Sequence, residues 1–173
     1  MERTDRIKQA LERTHGIFAA KPNAAQVTKT GRATLVDGLL CQYTEGDFKV
    51  HSDQPEVLGG EGKALTPGGY LRAGLSLCLV QGYAVRAARR GIALHKVEVD
   101  IEADTDMRSV LGFAGVPCGF AEFRFKVRVE SDAPEAAVRA VIDEADGVSP
   151  VLECIRRAQR IVRSVAIARP ETV

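Results

Sequence analysis

No two of the four cysteines, Cys41, Cys78, Cys118 and Cys154, form a C-x-x-C pair, and none has a histidine within a few residues. That spacing speaks against zinc, and the histidines His15, His51 and His95 are too scattered to make a metal site of their own. Net charge is nearly absent too, since 24 basic residues face 23 acidic ones and leave +1. No global field would draw the chain to nucleic acid or to an anionic membrane. The opening residues, MERTDRIKQALERTHG, lack the apolar core of a secretory signal. The expected location is the cytoplasm, where the cysteines would stay free thiols. The uncharged stretch Ala73 to Val85 is too short to span a bilayer. The glycine-rich GGEGK at 59 to 63 lacks the Walker spacing and the Ser or Thr after its lysine, and reads as a flexible loop. There is no internal repeat or low-complexity segment.

What is present is a chain of 173 residues, 45% hydrophobic and 27% charged. That is the length and composition of one ordinary globular domain with its own core. Ile7, Ala10, Leu11, Thr14, Ile17 and Phe18 fall near helical spacing and predict a short amphipathic helix over residues 1 to 20. From Gln26 to Val50 the pattern is β: AQVTKTGRATLV, an Asp37-Gly38 turn, LLCQYT, an EGD turn and FKVHSD make a three-stranded meander. Thr66-Pro67 is a cap and first-turn pair for a helix running to about Arg90, apolar almost all round and so expected to be buried on most faces.

Two segments then alternate: VEVDIEAD, with Val97, Val99, Ile101 and Ala103 on one face, and FRFKVRVE, with Phe123, Phe125, Val127 and Val129. Their outer faces carry Glu98, Asp100, Glu102 and Asp104 against Arg124, Lys126 and Arg128. That complementarity predicts direct pairing. A helix is expected from Asp132 to Gly147 and a short one after Ser149-Pro150, with RIVRSVAIAR returning as a last strand. Strands, long helix, strands, helices, strand is an α+β order rather than an alternating parallel one.

Cys78 stands out by context, because Gly74, Cys78 and Gly82 fall at i, i+4 and i+8 and leave one stripe of the long helix nearly bare around the sulfur. Small residues there either admit another helix or leave the thiol open to a ligand. A reactive Cys78 needs a cation or hydrogen-bond donor from elsewhere in the fold, with Arg32, Arg72 and Arg86 as candidates. Cys41 shares a strand face with Leu39 and Tyr43 and is expected to pack in the core, Cys118 lies in a loop, and Cys154 is expected at a buried position beside Val151 and Ile155.

The run PEVLGGEGKALTPGGYLRAGLSLCLVQGYAVRAARRGIALHKVEVDIEADTD, followed by GVPCGFAEFRFKVRVESDAPEAAVRAVIDEADGVSPVLECI, resembles the OsmC/Ohr family of osmotically inducible and organic hydroperoxide resistance proteins. The resemblance covers roughly residues 25 to 168 as the core of one OsmC-like domain over 1–173, with residues 1 to 22 as a helical extension. It implies an intertwined homodimer in which antiparallel sheets wrap long central helices and the active sites lie at the subunit interface. It further implies thiol peroxidase chemistry: a thiolate attacks the peroxide O–O bond, becomes a sulfenic acid, and is captured by a resolving cysteine before an external thiol or dithiol restores it. No bound cofactor is implied.

Cys78 matches the peroxidatic position, and Arg32 in TGRATL matches the family's arginine. Ser149 stands where the family commonly has its resolving cysteine, and Gly68 and Gly69 stand where hydroperoxide reductases carry a glutamate. Cys154, five residues beyond Ser149, would need local unwinding to replace the missing thiol. Three functions follow as alternatives: a hydroperoxide reductase working through Cys78, a non-catalytic dimer binding a small apolar ligand at its interface, and a redox sensor.

Overall fold

The computed structural model describes residues 3–169. Helix α1 (Arg3–Ala20) leads to an antiparallel meander of β1 (Arg32–Asp37), β2 (Leu40–Glu45) and β3 (Phe48–Ser52). The long helix α2 (Pro67–Arg89) is followed by β4 (Lys96–Thr105) and β5 (Phe120–Glu130), then by α3 (Glu135–Gly147) and α4 (Pro150–Arg156). The α+β class expected from the sequence is the observed one, and both sheets are antiparallel.

The cap signals set α2. Thr66 Oγ1 accepts from the Gly69 amide at 3.1 Å, and Pro67 opens the first turn. From there Leu75, Leu79 and Tyr83, one turn apart, form a fully buried stripe packed on Ala145 and Leu152. The sheet of β4 and β5 covers this stripe in the register the alternation implied: Val97 faces Val129, Val99 faces Val127, and Ile101 faces Phe125. On the outer face Arg128 pairs with Glu98 and Asp100, and Arg124 with Glu102 and Asp104. These exposed pairs secure register more than stability, at roughly 0.2 to 1 kcal/mol each. Tyr83 Oη donates to Asp146 Oδ1 at 2.8 Å, which ties α2 to the end of α3. Burial beside that carboxylate pushes the Tyr83 phenol above its ordinary value.

Three expectations are corrected. The helix α2 is not covered all round: α1, α3, α4 and β4 pack against it, but Leu71 and Leu77 remain 40% and 59% exposed on a side its own chain leaves open. Residues 158–169 form neither helix nor strand, with Ile161, Val162, Val165 and Ile167 exposed. Alternation alone does not make a strand; the segment must also dock on a sheet edge that satisfies its backbone, and here it docks on none. Finally, α3 begins at Glu135 rather than Asp132, whose carboxylate instead meets His95 Nε2 at 2.8 Å.

The β1–β3 meander packs only sparingly on the helices, tied to α2 by Tyr70 Oη, which donates to the His51 carbonyl at 2.6 Å, and it is two-sided. Its register puts Ala33, Leu35, Cys41, Tyr43, Phe48 and Val50 on one face and Arg32, Thr34, Gln42, Thr44, Lys49 and His51 on the other. The apolar face is open, with Leu35 64% and Phe48 80% exposed. Cys41, expected in the core, is accordingly only half-buried.

The glycine-rich loop is tied down rather than free. Asp53, 2% exposed, accepts from the amides of Gln54 at 2.8 Å and of Glu61 and Lys63 at 3.1 Å. These backbone donors, Lys63 foremost, hold its carboxyl below the usual aspartate range. Gly60 is required by close approach, since a Cβ there would lie 2.0 Å from the Gln54 carbonyl oxygen.

Candidate functional site

Cys78 opens into a cavity of about 460 Å³ bounded by α2, the end of α3 and the start of α4. The glycine stripe does two different jobs there. Gly82 lets α3 close in, with Ala145 Cβ 3.6 Å from where a side chain would begin, whereas a Cβ on Gly74 would meet nothing within 4 Å. Close packing holds at one end of the stripe and open space at the other. Leu77, Val85, Val148 and Val151 give the cavity an apolar wall, and no carboxylate lines it.

The polar group at the sulfur is Ser149. Its Oγ lies 3.3 Å from Cys78 Sγ and also caps α4 by accepting from the Leu152 amide at 3.3 Å. With that lone pair engaged, the hydroxyl proton is free to point at the sulfur, and a donor so placed serves a thiolate better than a thiol. Ser149 is itself 6% exposed, whereas Cys78 is half-buried and faces the cavity. The sequence separation of 71 residues is closed because α3 returns antiparallel along α2 and ends opposite Cys78.

Of the three arginines considered for Cys78, the structure brings one to the cavity. Arg86 lines it, its Nε 3.5 Å from Glu144 Oε1. Arg72 lies beside Gly68, and Arg32 sits on the polar face of β1, away from the cavity of its own chain. Where a hydroperoxide reductase would carry its glutamate, a Cβ on Gly68 would lie 3.1 Å from Phe120 Cζ, so a β5 ring occupies that direction. Cys154 is exposed and does not line the cavity, contrary to the expected burial. The Ser149 cap sets the phase of α4 so that Leu152, at 5% exposure, is the residue turned inward. Cys118 is exposed in the loop before β5. Among the described residues no group of three or more His, Cys, Asp or Glu comes together as a metal site, and no helix is long and apolar enough to cross a membrane.

A family model described as OsmC-like protein matches residues 60–162, well over half of the chain and the whole stretch from α2 through α4. The chain belongs to the OsmC-like family. Solved OsmC-like structures share its fold. The OsmC-like protein of Mycoplasma pneumoniae superposes with a TM-score of 0.65 at 16% identity, over 77% of this chain and 90% of that one. An OsmC-like protein of unknown function from Vibrio cholerae gives 0.62 at 9% identity, over 74% and 93%. The organic hydroperoxide resistance protein OsmC of Legionella pneumophila gives 0.55 at 23% identity, over 76% and 91%. No curated protein matches the sequence. Within this OsmC-like fold, sequence reasoning found Cys78 and Ser149 but not their contact, and it had no signal for Asp53 as the anchor of the loop that leads into α2.

Proposed function

We propose that this OsmC-like protein is a thiol peroxidase that reduces organic hydroperoxides at Cys78. The observation that carries the reading is the contact of the half-buried Cys78 Sγ with the buried Ser149 Oγ, 3.3 Å apart, at an apolar cavity large enough for a small organic ligand. The Cys78 thiolate attacks the distal oxygen of ROOH, the O–O bond breaks, and the alkoxide takes up a proton to leave as ROH. Cysteine is oxidised to sulfenic acid and the peroxide is reduced. Ser149 donates its hydroxyl proton to the sulfur as a hydrogen bond and carries no redox step, because a serine forms no disulfide. An external thiol then attacks the sulfenic sulfur and releases water. A second thiol splits the mixed disulfide and restores Cys78. No bound cofactor enters this cycle, and a reducing cytoplasm supplies the thiols.

The working unit is a homodimer. The open apolar face of β1–β3 and the exposed Leu71 and Leu77 on α2 favour a second copy of this chain as their cover. Such an assembly leaves room for an arginine such as Arg32 to reach the Cys78 cavity from the other subunit. The decisive measurement adds one equivalent of cumene hydroperoxide to reduced protein, traps sulfenic acid with dimedone, and maps the adduct by mass spectrometry. A Cys78 adduct with loss of peroxide is expected; unmodified Cys78 with peroxide intact would overturn the reading. In that event the apolar wall of the cavity supports the second reading, a non-catalytic dimer that binds a small apolar ligand there.

A further inference from the structure

A second groove, of about 570 Å³, runs between α1 and the last turns of α2. Its charge is lopsided: Lys8 from α1 faces Arg86 and Arg89 from α2, with Glu12 as the one acid in its lining. This is a local excess of cations in a chain whose net charge is only +1. Among the described residues Lys8 and Arg89 make no ion pair. Arg86 is shared with Glu144 only loosely, at 3.5 Å, because Arg90 holds that carboxylate at 2.7 Å. Cations unpaired by their own chain and gathered on one groove attract an anion from outside it.

The floor of the groove is not polar. Leu11, Phe18 and Val85 lie among the cations, with Phe18 40% exposed. A fully hydrated ion such as free phosphate would leave that surface uncovered, whereas a molecule with an anionic head and an apolar body would satisfy both parts. We infer that the α1/α2 groove is a binding site for an apolar monocarboxylate, its head held by Arg89 and Lys8 and its body against Leu11, Phe18 and Val85. The groove abuts the Cys78 cavity, since Val85 and Arg86 wall both. The inference nonetheless stands apart from the peroxidase reading, because binding of the carboxylate needs no reaction at Cys78. It gives the helical extension a function, since five of the eight groove residues come from α1.

Isothermal titration of the full chain with octanoate, octan-1-ol and inorganic phosphate tests it. Octanoate is expected to bind saturably at one site, octan-1-ol and phosphate each far more weakly. The double variant Lys8→Gln/Arg89→Gln should bind octanoate about tenfold less tightly, as expected for the loss of two exposed ionic contacts. Arg139→Gln, which removes an exposed α3 cation paired with Glu135, should bind as the parent does. Lys8 and Arg89 are both exposed, so the double variant should melt with the parent. Equal binding of octanoate and octan-1-ol, displacement of octanoate by equimolar phosphate, or undiminished affinity in the double variant would each overturn the proposal. Failure of the Cys78 trapping experiment would leave it untouched.

Discussion

Replacing Ser149 with cysteine puts a thiol where the structure places a hydroxyl 3.3 Å from Cys78 Sγ. A disulfide needs about 2.0 Å between sulfurs, so closure requires an approach of roughly 1.3 Å, within reach of small rotations of two side chains. The cross-link would close a loop of sequence separation 71, for which the chain-entropy model gives roughly 4.4 kcal/mol at 25 °C. Against this, the variant loses the serine cap of α4, a cost of about 1 kcal/mol in either redox state. For a chain of this size 1 kcal/mol moves the midpoint by about 2–4 °C. Reduced Ser149→Cys should therefore melt about 3 °C below the parent, and the oxidised form roughly 13 °C above its own reduced form. With one equivalent of hydroperoxide, free thiols should fall from five, the native four plus one, to three. Non-reducing peptide mapping should find Cys78 joined to position 149. If the parent consumes hydroperoxide while this variant keeps all five thiols, the Cys78–Ser149 cavity is not where the peroxide reacts, and the proposed mechanism fails.

Other outcomes test the frame around the site. Gly60→Ala should cost about 3 kcal/mol or more, because its Cβ would press to 2.0 Å on the Gln54 carbonyl oxygen; a thermal melt unchanged by this substitution would contradict the packed loop. Tyr83→Phe should cost about 1–3 kcal/mol by leaving Asp146 without its donor, read from denaturant unfolding. The raised Tyr83 phenol adds a pH signature: unfolded tyrosine loses its proton near pH 10 while the folded one keeps it. Stability should thus fall as pH rises above about 10, and fall less steeply in Tyr83→Phe. Phe48→Asp charges the open face of the meander, so sedimentation should show a dimer for the parent and a monomer for the variant; equal masses for the two would remove the case for a second copy on that face.

What the sequence disclosed follows the range over which its signals act. The caps Thr66 and Ser149, the alternation of β4 and β5, and their complementary charges are local, and each is found where it was expected. The errors arise where a local pattern depends on a distant partner. The alternation in RIVRSVAIAR is real, yet the segment pairs with none of the sheet edges of its own chain, and α2 is apolar on a side its own chain leaves open. Cys154 was misplaced by phase alone: the helical period was right, but the Ser149 cap turns Leu152 inward. Asp53 carried no pattern, because its three amide donors converge only after the glycine loop has folded back on it.

The same distinction bears on how the thiol would be held without its family's usual partners. The helix start offers no carboxylate, with Gly68 and Gly69 there and Phe120 in the direction a side chain on Gly68 would take, and Arg32 lies on the polar face of a sheet that does not line the cavity. What the chain itself supplies at the sulfur is a hydroxyl whose acceptor side is already committed to an amide, and Arg86 at the cavity wall. A neutral donor can orient a thiolate, but it supplies no countercharge. Arg86, drawn only weakly to Glu144, is the cation nearest to filling that role within one chain. Arg86→Gln should therefore slow hydroperoxide consumption while leaving the Cys78 to Ser149 geometry, and so the cross-linking yield of a combined Ser149→Cys variant, intact. Loss of cross-linking without loss of rate would instead mean that Arg86 shapes the cavity through packing rather than charge.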